Sequence, residues 1–158
     1  MKILLPVDGS PLSLEAVRHA IGLAREGLRI DCVLANVQEP GTLYEVLVAH
    51  DADVVDDVRA RAGVHLLEGG EKLLTEAGID YEIEVASGDP AHALVDIIEN
   101  FGCDAVIMGA WGAGPDSSAP LGSVALAMTR SSPVPVTVVR PREAVPENVD
   151  DGEPDSTT

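Results

Sequence analysis

Basic residues are scarce in this 158-residue chain. Ten Lys and Arg stand against 27 Asp and Glu, for a formal net charge of −17, and only Lys2 and Lys72 are lysines. Such a field repels polyanions, which argues against nucleic acid and anionic membrane as partners. Its plain reading is solubility, with adaptation to high salt as an alternative. Cysteine is nearly absent too: Cys32 and Cys103 form no CxxC or metal-ligand spacing. Reduced structural thiols in a cytoplasmic protein are the expectation. No apolar run approaches the ~20 residues that span a bilayer, so no membrane insertion is expected. The opening stretch Met1–Asp8 is too short for a signal peptide and lacks a cleavage-like site.

What is present is an alternation of apolar runs and helical patterns. Strands are expected at Lys2–Val7, Ile30–Val37, Asp80–Val85, Ala105–Met108 and Val136–Val139. A helix is expected over Ser10–Glu26, with Ser10 as cap, Pro11 in the first turn, Glu15 early enough to favour the dipole and Gly27 as stop. The stretch from about Leu43 to Gly78 is helix-prone, with an acidic segment, His50–Asp57, expected to precede the helix proper. In the third strand Tyr81, Ile83 and Val85 alternate with Glu82 and Glu84, which predicts one wetter face near a sheet edge. Asp89-Pro90 opens a further helix with an apolar face of Ala93, Leu94, Ile97, Ile98 and Phe101. A Gly/Pro/Ser-rich loop, Gly109–Leu121, leads into a short helix from Ser123 to about Arg130. Residues 1–142 thus read as one domain and 143–158 as a disordered acidic tail.

Strands separated by helices call for a parallel sheet with right-handed crossovers and helices on both faces. Ligands of such sheets bind beyond the carboxyl ends of the strands. The loop after the fourth strand carries Gly109-Ala-Trp-Gly112, nine residues, then Gly122-Ser123. Glycines permit close backbone approach and positive φ, and the free amides of a helix start favour a phosphate. The same residues would equally serve a turn and a helix cap. No Ser–His–Asp set, carboxylate pair or Cys–His nucleophile has a usable spacing, so no enzyme is expected. His65 and Glu68, three apart, form at best a remote metal candidate.

The G-x2-G-x9-G-S spacing resembles the ATP-binding signature of the universal stress protein family. Ile3-Leu-Leu-Pro-Val-Asp-Gly-Ser10, Gly88-Asp-Pro90, Asp104-Ala-Val-Ile-Met-Gly109 and Ser132-Pro-Val-Pro-Val136 are similar to further landmarks of that family, in order, over roughly residues 2 to 140. The resemblance implies a doubly wound, Rossmann-like α/β domain with a five-stranded parallel sheet, order 3-2-1-4-5. It implies a homodimer through the last strand and a role in stress regulation. It places Pro6, Val7 and Asp8 near ribose and base, and Val37 at the adenine. Met108, Gly109 and Gly112 would follow the ribose–phosphate path, and Gly122, Ser123 and Val124 would hold the phosphates. The chain departs from the family pattern where Trp111 and Ala113 replace frequent basic residues and Ala125 a frequent hydroxyl. No Lys or Arg occurs from Asp104 to Thr129, and Asp116 adds a negative charge. ATP is therefore expected to bind weakly, with Mg²⁺ or Mn²⁺ helping. The alternative is a dimeric interaction module whose pocket is empty.

Overall fold

A computed structural model describes residues 1–39, 52–112 and 118–142. Its strands are β1 (Lys2–Pro6), β2 (Asp31–Gln38), β3 (Tyr81–Ser87), β4 (Ala105–Gly109) and β5 (Val136–Val139). Its helices are α1 (Pro11–Arg25), α2 (Ala52–Glu76), α3 (Pro90–Phe101) and α4 (Ser123–Ser131). The five strands form one parallel sheet in the order β3-β2-β1-β4-β5.

Alternation along the strands builds two cores. Ile3 and Leu5 of β1 and Leu34 of β2 turn to one face and meet Val17 and Ile21 of α1 and Leu67 and Leu74 of α2. Leu4, Val33 and Val106 turn to the other and meet Leu94, Ile97 and Ile98 of α3 and Met128 of α4. Each such fully buried aliphatic side chain contributes about 1.5–3 kcal/mol. Glycines inside α2 bring that helix close: a Cβ at Gly70 would lie 3.1 Å from Leu34 and one at Gly63 2.5 Å from Val85.

Caps account for where the helices begin. The Ser10 hydroxyl accepts from the Ser13 amide at 3.3 Å, and the Asp89 carboxylate accepts from the His92 amide at 3.0 Å. Pro11 and Pro90 follow these caps at the first helical positions, where a missing N–H costs nothing. Three local expectations change. Glu15 lies beyond the first turn of α1 and pairs with Arg18. The acidic stretch expected ahead of α2 belongs to it from Ala52 on, so Asp56 and Asp57 lie within the helix. Edge strand β3 is less cleanly alternating than its sequence, because Ile83 is 39% exposed. The expectations for His50, for the rest of 43–51, for Ala113 and Asp116, and for the tail 143–158 lie outside the described residues.

Candidate functional site

The sheet reverses its winding between β1 and β4, so the loops following these strands part at their carboxyl ends and leave a crevice there. It is a cleft of about 720 Å³, within the range of small-molecule sites. All ten residues assigned to a pocket from the sequence line it, contributed by β1 and its loop, β2, β4 and the start of α4.

The β1 end is fixed by hydrogen bonds. The Val7 amide donates to Ala35 O at 2.8 Å, and Asn36 Nδ2 donates to Val7 O at 2.8 Å. Asn36 is 3% exposed and also accepts from Gln38 Nε2. The chain then turns at Gly9, with φ +83, and Asp8 Oδ1 accepts from the Ser10 amide at 2.9 Å. That turn aims the Asp8 carboxylate across the cleft at the β4 loop, where a Cβ on Gly112 would meet Asp8 Oδ2 at 2.6 Å.

The β4 loop is held from three sides. The Ala110 amide donates to Val139 O at 2.8 Å, joining it to β5. Trp111 Nε1 donates to Ala119 O at 2.7 Å. The Arg140 guanidinium lies 5.6 Å from the Trp111 ring centroid and donates to Pro120 O at 2.8 Å. Such a cation–π contact contributes about 0.5–1 kcal/mol at an exposed site. The sequence pattern gives no hint that Arg140 reaches this loop, since 29 positions separate it from Trp111.

At α4 the glycine, not the serine, is the cap. Gly122 is the N-cap and Ser123 the first helical residue, with no side-chain cap. The Gly122 amide is already committed, donating to Ala110 O at 2.7 Å. The open amides are therefore those of Ser123, Val124 and Ala125, which precede the first intrahelical bond, from Leu126 N to Gly122 O at 2.9 Å. None of Gly109, Gly112 and Gly122 has positive φ. Close approach explains the last two: a Cβ on Gly122 would sit 3.2 Å from both Ala110 O and Trp111 Cα.

Among the described residues the charged ones lining the cleft are Asp8 and Glu39, while Leu94, Met108, Leu121 and Val124 supply apolar wall. Asn36, Glu39 and Leu94 were not foreseen. The one usable signal was Asn36, a lone amide inside the apolar run Cys32–Val37. Among the described residues no three His, Cys, Asp or Glu side chains gather as a metal cage. His65 and Glu68 only pair with each other, at 3.2 Å. No helix among the described residues is long and apolar enough to cross a membrane.

Comparison with known proteins agrees with this architecture. The sequence profile of the universal stress protein family matches residues 1–140. Universal stress protein MJ0531 of Methanocaldococcus jannaschii is 29% identical over 139 residues, covering 88% of this chain and 81% of that protein. The solved structure of protein MJ0577 superposes with a TM-score of 0.73 at 23% identity, over 90% of this chain and 97% of that one, a likeness of fold. A universal stress protein solved in complex with cAMP superposes with a TM-score of 0.64 at 26% identity, over 88% and 96%. Profile, sheet order and signature spacing concur, and the chain belongs to the universal stress protein family, a family of stress-response proteins.

Proposed function

We propose that this protein is a regulatory, non-enzymatic member of its family that binds an adenine nucleotide in the cleft between β1 and β4. The observation that carries the reading is the convergence of the ten candidate residues, four of them from the signature, on one cleft that is also lined by Ser123, Val124 and Ala125 at the start of α4. Apolar wall from Val37, Leu94 and Met108 suits a base, Asp8 suits ribose hydroxyls, and the open amides suit a phosphate. The solved relative in complex with cAMP supports an adenine ligand. In this reading occupancy rather than turnover is the signal. The protein acts as a cytoplasmic homodimer in this reading, joined through β5.

Equilibrium dialysis with labelled adenosine, AMP and ATP, with and without Mg²⁺, tests it. Saturable binding that guanosine nucleotides do not displace is the expected result. No binding of any adenine compound at millimolar concentration would overturn it and leave the interaction-module reading.

A further inference from the structure

Accepting the adenine-nucleotide reading of the cleft, we infer that the site selects for adenosine carrying a single phosphate and discriminates against the triphosphate by charge. All ten Lys and Arg of the chain fall within the described residues, and none of them lines the cleft. The segments 40–51, 113–117 and 143–158 contain no Lys or Arg at all, so wherever they lie they add no cation. They contain carboxylates instead, Asp116 within the signature loop itself. Arg140, which does reach that loop, has its guanidinium on the Trp111 ring and the Pro120 carbonyl.

The attraction left for an anion is that of the α4 amides, equivalent to roughly half a positive charge at a helix N-terminus. Against it stand Asp8, Glu39 and the net charge of −17. A phosphate monoester brings about −2, a cyclic diester about −1 and a triphosphate about −4. The first phosphate can be met by the amides. Each further one finds no cation in the cleft and repulsion from two carboxylates, so added phosphates weaken binding. The wall shows the same division: apolar surface for the base, and one helix start for anions.

The experiment is calorimetric titration of the full chain with adenosine, cAMP, AMP and ATP in EDTA, at ~0.02 M and ~0.5 M KCl. AMP and cAMP should bind at least ~10-fold tighter than ATP at low salt, and the gap should shrink at high salt. Glu39→Lys, at an exposed position, should tighten ATP more than adenosine. ATP binding as tightly as AMP at low salt would overturn the selectivity while leaving the nucleotide reading intact. A gap that neither salt nor Glu39→Lys alters is steric and overturns its electrostatic cause. Failure of all four ligands removes the nucleotide reading itself.

Discussion

Gly112 faces Asp8 across the cleft with no room for a methyl group. A Cβ there lands 2.6 Å from Asp8 Oδ2, the end of a side chain that can rotate away. Gly112→Ala should thus leave the melting temperature within a few degrees and move Asp8 off the position proposed for the ribose, lowering adenosine affinity ~10-fold or more by calorimetry. A variant that binds like wild type would remove Asp8 from the site. At Gly122 the obstacle is backbone, Ala110 O and Trp111 Cα at 3.2 Å. Gly122→Val should therefore lose binding by pushing the β4 loop from α4, with a drop in stability that Gly112→Ala does not share. Asn36→Ala removes the donor to Val7 O and should cost about 1–3 kcal/mol in denaturant unfolding. Burial, the Asp31 charge and then Cys103 push the Cys32 thiol up to about 12. A folded-state pKa above the unfolded value means that the unfolded chain loses this proton first. Stability should then fall as pH rises from about 9 toward 12, less so in Cys32→Ala, and neither thiol should react with a disulfide reagent in the native protein at neutral pH. These residues differ in how legible they were. The signature glycines and Asp8 stand next to strand ends, where topology already puts ligands. Arg140 and Glu39 carry no local pattern, because only the approach of β5 and β2 to the cleft gives them a place in it.

At the scale of elements, β5 is the strand with consequences. The carbonyls of Pro135 and Val139 accept from Val106 of β4 and from Ala110 just beyond it, so alternation turns the N–H and C=O of Val136 and Val138 to the open edge. Such an edge invites a second strand, and β5 is where we place the homodimer contact. Val138→Pro removes an outward donor and leaves the bonds to β4 in place, since Val138 donates nothing inward. It should convert a dimer to a monomer in light scattering at tens of micromolar without unfolding the chain. A wild-type monomer would refute the contact, and an unaltered dimer would move it elsewhere. The strands and helices themselves were legible to within a residue or two because burial on both faces writes near-continuous apolar runs, and Ser10, Asp89 and the following prolines write the helix starts. Less legible was the start of α2, where acidic residues read as solvated chain although they also suit a helix N-terminus. The same ambiguity hid Gly122 as the cap of α4, since serine is the commoner cap and stands one position later.

For the whole molecule, the parallel sheet and the place of the cleft at its carboxyl ends followed from alternation and the crossover rule and the strand order from the family resemblance, whereas the charge balance has effects no single contact shows. A chain ending at Arg142 should melt at the temperature of the full chain, because residues 143–158 contain no aromatic, Leu, Ile or Met to bury; a loss of more than a few degrees would show that they dock. The formal charge of −17 comes with few cations to offset it. Compaction brings these charges closer than they are in the unfolded chain, so self-repulsion opposes folding. Salt shortens its reach from about 10 Å at 0.1 M to about 3 Å at 1 M. The melting temperature should therefore rise by several degrees between those concentrations of KCl. KCl is the salt to use, because sulfate would also strengthen apolar burial and confuse the cause. A neutralised control, with three exposed carboxylates changed that make no ion pair among the described residues (Glu26→Gln, Glu76→Gln and Glu99→Gln), should start higher in low salt and gain less on adding KCl. If both proteins respond equally, the stabilisation comes from general salt effects on burial. If neither responds, the surface charge is already accommodated by ion pairs such as Arg61 with Asp57 at 3.0 Å and Lys2 with Asp31 at 3.8 Å, and repulsion does not limit this fold.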